Sequence, residues 1–251
     1  MNDKRIELKR ITKTAAILLL SGNSVNSIPL EVVERCLNEQ TQDGGWVSIV
    51  DTMWNAFFLK QINEEKYRLN IDLGLEFLRC QRNEEGLWGR SSRDISRIPV
   101  TGIILYLLPE LAEPGNLKLL EQLWQSEKNS LTYKAAYTLM AFKRNDYSPI
   151  DKKLINDTVL WLIRNQKEDG GYSPWKNHPV DSDVFCTGVA SIGLLQYPNM
   201  VDPQVLQATF KWLTQNQLDS GIWKYHEIED GASWGLFAIM EILKSGVLKN
   251  G

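Results

Sequence analysis

One short pattern recurs four times along this chain and constrains its fold more than any other feature. A glutamine is followed, after a short acidic stretch, by glycine and then an aromatic ring. The copies read Gln40-Thr-Gln-Asp43-Gly44-Gly45-Trp46, Gln81-Arg-Asn-Glu-Glu85-Gly86-Leu-Trp88, Gln166-Lys-Glu-Asp169-Gly170-Gly171-Tyr172 and Gln217-Leu-Asp219-Ser-Gly221-Ile-Trp223. The glutamines stand 41, 85 and 51 residues apart. With a unit of roughly 42 residues, the long gap holds two units, the middle one without its glycine loop. Such a period marks a chain built by stacking one supersecondary unit, each burying its apolar face against its neighbours.

Upstream of each glutamine lies an apolar pair at helical spacing: Trp161-Leu162, Trp212-Leu213, Phe77-Leu78 and, more weakly, Cys36-Leu37. The segments Lys152 to Asn165 and Pro203 to Asn216 place apolar residues three and four apart with polar residues opposite, which predicts half-wet surface helices. The glycines that follow end those helices, because glycine takes left-handed conformations at little cost. A second helix of different character follows each loop. These are Thr52 to Lys60, Val100 to Leu111, Ser130 to Lys143, Phe185 to Tyr197 and Ala232 to Lys244, apolar nearly all round and rich in Gly, Ala and Ser. Burial on several sides is implied. Arg5 to Ser21 supplies a sixth of this kind, for about eleven helices in all, one short of six pairs. Strand signals are sparse. The reading is all-α: an α/α toroid of outer and inner helix pairs, one domain over residues 1–251, with repeats around 33–46, 77–88, 161–172 and 212–223.

Aromatic-Leu-x-x-x-Gln followed by Gly-x-Trp resembles the QW motif of squalene-hopene cyclases, related terpene cyclases and, more loosely, protein prenyltransferase β-subunits. Trp161-Leu162 to Tyr172 and Trp212-Leu213 to Trp223 match it best, the first with Tyr for Trp. The likeness runs over residues 33–245. It implies that the repeat glutamines bond backbone near the next outer helix while the aromatic ring covers them, a structural role and not a catalytic one.

Composition excludes several classes of function. A net charge of −3 offers no basic face for nucleic acid. Lys and Arg are scattered, without a polybasic stretch. Three cysteines, Cys36, Cys80 and Cys186, are far apart and odd in number, so no disulfide framework is expected. The run Ala15 to Leu20 follows basic residues, yet Asp3 and Glu7 interrupt them and no Ala-x-Ala site follows, so it reads as a helix of the first unit and not as a signal peptide. No run reaches the length of a membrane span. The expectation is a cytoplasmic protein, with peripheral membrane contact left open.

Chemistry is expected at the mouth of the ring, where inner-helix N-termini and their preceding loops carry Asp51, Asp94, Asp181, Asp183, Glu227, Glu229 and Asp230. A single Asp before a helix, such as Asp51, commonly caps free N–H groups. His178-Pro-Val-Asp181-Ser-Asp183 is different, because two carboxylates and a histidine are close together. Class II terpene cyclases protonate an alkene or epoxide through Asp-x-Asp-Asp, whose middle Asp is the acid. The resemblance carries that role onto Asp183, with Asp181 and His178 supporting it, although Val184 stands where the family has its last Asp. A neighbouring carboxylate and a hydrogen-bonding partner can keep one carboxyl protonated by separating the two titrations.

Aromatic residues Trp54, Phe58, Tyr133, Tyr137, Phe185, Trp234 and Phe237 on the inner helices are candidates for lining a cation-handling cavity. A ring face toward a cation contributes about 0.5–2 kcal/mol; ordinary core packing is the competing role. No Asp-Asp pair occurs, so the Mg²⁺-diphosphate motif of class I terpene synthases is missing, and no metal ligand or cofactor is assigned. Three functions stay open. The first is a terpene-cyclase-like enzyme acting on a linear isoprenoid, such as a diphosphate. Larger members of that family pair two toroids, which points to a partner subunit or a homodimer here. The second is a prenyltransferase-like enzyme with zinc held by Asp183, Cys186 and His226. The third is a non-catalytic toroid that binds a lipid or a protein.

Overall fold

Helices that are apolar on all sides cannot face water, and in this chain they meet one another in a ring. The computed structural model describes residues 7–250. Six inner helices, α1 (Leu8–Leu20), α3 (Ile49–Asn63), α5 (Ile98–Leu107), α7 (Thr132–Arg144), α9 (Val184–Leu195) and α11 (Ile228–Ser245), alternate with five outer ones. The outer helices are α2 (Leu30–Asn38), α4 (Arg68–Cys80), α6 (Pro114–Glu127), α8 (Leu154–Asn165) and α10 (Pro203–Gln215). Each inner helix packs on the next, and α11 packs on α1, so the ring closes. The architecture is all-α, as the repeat predicts, with no strand among the described residues.

The boundaries follow local chemistry. Pro109 cannot donate a backbone N–H, so α5 stops at Leu107 and the expected continuation to Leu111 is a 3₁₀ turn. α11 begins at Ile228, a turn earlier than the apolar run suggests. The expected first helix from Arg5 begins at Leu8, and residues 5 and 6 lie outside the described residues. The unit lacking a glycine loop is α6–α7, joined through Asn129, which takes the left-handed conformation (φ 63°) in glycine's place.

Inner helices approach closely where they present glycine. A Cβ on Gly188 of α9 would stand 2.7 Å from the Trp234 backbone of α11. One on Gly102 of α5 would stand 2.9 Å from the Tyr137 Cβ of α7.

The repeat residues do the same work in successive units. Trp46, Trp88 and Trp223 each donate from the indole Nε1 to the carbonyl ten residues earlier, on Cys36 (2.9 Å), Leu78 (2.7 Å) and Leu213 (2.8 Å). The backbone N–H groups of Trp46, Trp88 and Tyr172 donate to the hydroxyls of Thr52, Thr101 and Thr187 on the following inner helix. The Gln40 amide donates to the Asn70 carbonyl on α4 (2.9 Å), and the Gln166 amide to the Val205 carbonyl on α10 (2.8 Å). Each ties the end of one outer helix to the start of the next. In the second unit Arg82 makes this link, donating to the Leu111 carbonyl (3.1 Å) and pairing with Glu113.

Candidate active site

The first turns of α5 and α7, the loop before α9 with that helix's own first turn, and the loop before α11 surround a recess of about 830 Å³. Its wall includes Pro99, Tyr133, Asp183, Phe185, Tyr225 and His226, with His178, Val180 and Lys224 also contributing. The loop from Pro174 to Ser182 supplies one side. That loop is anchored because Thr132, at the start of α7, donates its N–H to the Pro174 carbonyl and its hydroxyl to the Ser173 carbonyl.

Asp183 caps α9. Its Oδ1 accepts from the Cys186 N–H at 2.7 Å, and its own N–H donates to the Tyr172 carbonyl at 2.9 Å. Burial raises its carboxyl above the ordinary range; the Cys186 and Phe185 amides and the nearby His226 pull the other way. A half-buried carboxyl of this kind holds its proton more firmly than one in water. The amides and helix terminus stabilise the carboxylate that remains once the proton has gone. Burial also pushes the Cys186 thiol up, so it behaves as a small apolar wall residue.

The aromatic wall is continuous. Tyr133 and Phe185 pack at 5.9 Å between ring centroids, and Phe185 stacks on Tyr225 at 5.9 Å with 19° between planes. Tyr225 and Lys224 are wall residues that no motif in the sequence singles out. The signal was their position: they follow Trp223 in the last repeat loop, directly before an inner helix.

Five of the remaining mouth acids, all but Glu227, have other partners. Asp181 is fully exposed, 3.9 Å from the Lys167 ammonium, and is not part of the recess wall, so the structure does not bring it to Asp183. Asp51 pairs with the hydroxyl of Ser48 in the first turn of α3. Asp94 is held well below the carboxylate range by Arg97 and Arg90. Glu229 meets Arg10 at 2.7 Å and Asp230 meets Lys13. His178 lies on the wall, but its Nδ1 accepts from the Val180 N–H at 3.1 Å and its ring stands edge-on to Trp175, away from any bond to Asp183.

The aromatic candidates divide. Tyr133 and Phe185 line the recess. Trp54, Phe58, Tyr137, Trp234 and Phe237 are buried in the core. Tyr137 and Trp234 meet at 6.0 Å, and Trp234 meets Phe237 at 6.1 Å, joining α7 to α11 past the intervening α9. Side chains therefore pack this part of the ring where a hollow was expected. One face of Trp54 is already covered by the Lys13 ammonium, 5.3 Å from the ring centroid. Among the described residues no three His, Cys, Asp or Glu side chains converge on a metal position, so Asp183, Cys186 and His226 do not form the zinc site considered above.

The fold defines the class: a ring of paired helices of the α/α toroid type, the fold of the terpene cyclase structures it resembles. No family model and no curated protein sequence matches the chain. Solved structures do. A variant of the type II terpene cyclase MstE from Scytonema, in complex with its substrate geranylgeranyl dihydroxybenzoate, superposes with a TM-score of 0.73 at 13% identity, over 94% of this chain and 88% of that one. ent-Copalyl diphosphate synthase from Streptomyces platensis gives 0.65 at 13% identity, over 95% of this chain but 50% of its own. A possible member of the GH105 family from Klebsiella pneumoniae gives 0.62 at 11% identity. At these identities the likeness is one of fold.

Proposed function

We propose that this chain is a terpene-cyclase-like enzyme that cyclises a linear isoprenoid by proton transfer from Asp183. The observation that carries the reading is Asp183 itself: a carboxyl raised by burial, in the wall of an 830 Å³ recess beside the rings of Tyr133, Phe185 and Tyr225. That volume lies within the range of small-molecule sites. The Asp183 carboxyl transfers its proton to an alkene carbon; a C–H bond forms, the π bond is lost and a tertiary cation results. A second alkene of the same chain attacks that cation and closes a ring. Loss of a proton to a wall base, for which His178 and His226 are placed, restores a neutral product. The stacked Phe185 and Tyr225 present π faces to the travelling charge. Asp181 has no part in this scheme.

The size of the chain is compatible with activity from one toroid. It spans 88% of the MstE chain, a type II terpene cyclase solved with a geranylgeranyl substrate. The expectation of a second toroid came from larger enzymes; this chain spans 50% of ent-copalyl diphosphate synthase.

Incubating the purified protein with geranylgeranyl diphosphate, farnesyl diphosphate, squalene and a geranylgeranylated hydroxybenzoate tests the proposal by mass spectrometry of the extracted products. Cyclised product is expected from at least one, and none from Asp183→Asn. Turnover that survives in Asp183→Asn removes the role of the acid. No product from any substrate removes the cyclase reading and leaves a lipid- or protein-binding toroid.

A further inference from the structure

Below the recess the interior of the ring is closed by aromatic side chains. Tyr133 lines the recess from the first turn of α7, and Tyr137 follows one turn deeper on the same helix. Burial pushes the Tyr137 phenol up, and Cys186, Tyr225 and Tyr133 add to the effect. All three belong to the recess wall, so the Tyr137 ring lies against the inner end of that wall. Tyr137 in turn meets the Trp234 ring at 6.0 Å, and Trp234 meets Phe237 at 6.1 Å.

Trp234 is poorly suited to a core that only needs filling. Its side chain is 1% exposed, and its Nε1–H is buried without an acceptor among the described residues. The indoles of Trp46, Trp88, Trp124 and Trp223 all donate to an oxygen. Phenylalanine or leucine would fill the place without leaving a buried donor unpaired, which lowers stability. What the indole adds is bulk, and that bulk is held in a fixed position. A Cβ on Gly188 would stand 2.7 Å from the Trp234 backbone, and one on Gly235 would stand 2.7 Å from a methyl of Val184. With α9 and α11 already this close, the backbone that carries the indole has no room to shift toward α9.

We propose that Trp234, backing Tyr137, is the floor of the isoprenoid site and sets the longest chain that the recess admits. The inference rests on the recess being the isoprenoid site proposed above. A tail that reaches Tyr137 meets a ring packed on Trp234, and a further isoprene unit has no apolar space to enter. A smaller apolar group in place of the indole lets Tyr137 turn inward and deepens the recess. Each CH₂ buried there tightens binding about fourfold, so a whole isoprene unit adds about tenfold or more.

Calorimetric titration of the full chain with geranyl, farnesyl, geranylgeranyl and geranylfarnesyl diphosphates locates the floor, because the common head group cancels within the series. Wild-type affinity is expected to rise about tenfold or more per unit and then to stop rising at one member. In Trp234→Ala the rise continues through at least one further member. Circular dichroism establishes that each variant is folded, and Trp234→Leu, which leaves a smaller void, serves if Trp234→Ala is not. Trp124→Leu, the same truncation in outer helix α6, is expected to leave the break at its wild-type position. A break that the Trp234 variant does not move overturns the proposal. So does an equal shift in Trp124→Leu, an affinity that rises through the whole wild-type series, or no binding of any member. The floor and the cyclase fail separately: a shifted break without cyclised product removes only the cyclase, and cyclised product with an unmoved break removes only the floor.

Discussion

The carboxylate of Asp183 accepts the Cys186 N–H at 2.7 Å while its side chain forms part of an aromatic recess, so one residue both caps α9 and faces the open space. The two roles respond differently to substitution. Asparagine caps a helix about as well as aspartate, whereas alanine in place of a cap costs about 1 kcal/mol.

The cap and the acid therefore separate in Asp183→Asn. The folded-state carboxyl is raised, so above the ordinary carboxylate range the native state retains a proton the unfolded chain has released. Native stability then falls as pH rises from the unfolded pKa through the folded one, and the shortfall persists at neutral pH. Asp183→Asn is expected to remove that decline and to be at least as stable as wild type at pH 7, while losing activity. Urea titrations of both proteins between pH 4 and pH 8 check it; a variant less stable at pH 7 contradicts it.

Tyr172 stands where three other units have Trp. Its hydroxyl is buried without a hydrogen-bond partner among the described residues, whereas the three indoles each donate to a carbonyl ten residues back. Tyr172→Phe removes an unsatisfied buried group and is expected to stabilise by about 1 kcal/mol, a rise of ~3 °C in Tm. A fall in Tm by calorimetry defeats this account.

Gln166 and Gln217 occupy the same place in their units but carry different loads. The Gln166 amide reaches the carbonyls of Gly170 and Val205 and the Thr209 hydroxyl; Gln217 reaches Gly221 alone and is exposed. Gln166→Ala should cost about 2 kcal/mol and Gln217→Ala under about 0.5 kcal/mol. Equal losses on chemical denaturation contradict the difference.

Gly188 permits the contact of α9 with α11. An alanine there sets a methyl 2.7 Å from the backbone of Trp234, which cannot yield as a side chain tip could. Gly188→Ala is expected to destabilise by about 2 kcal/mol or more, despite alanine's better helix propensity. A stabilised variant in a thermal melt shows that the helices can part at little cost.

The alternation of half-wet and greasy helices was legible in the residues because it depends on local periodicity, and so was the count of eleven. The Gln166 link to the next outer helix was foreseen through the QW resemblance. Less of the site could be read. Asp181 and Asp183 are two apart in sequence, but the chain enters α9 between extended residues, so one carboxylate meets solvent and Lys167 while the other meets the recess.

Spacing along a helix identifies which aromatic residues share a face, and Tyr133 with Tyr137 satisfies it; it does not say what that face meets. Tyr133 reaches the mouth and Phe185, whereas Tyr137, one turn deeper, is closed over by Trp234 of α11, one helix beyond the adjacent α9. The amino-acid order by itself determined helices, their two kinds and the loops that link them, because those follow from hydrogen bonds and burial within a few turns. Only the closed ring decided which side chains keep access to space, because that depends on residues from α5, α7, α9 and the loop before α11 arriving together at one end.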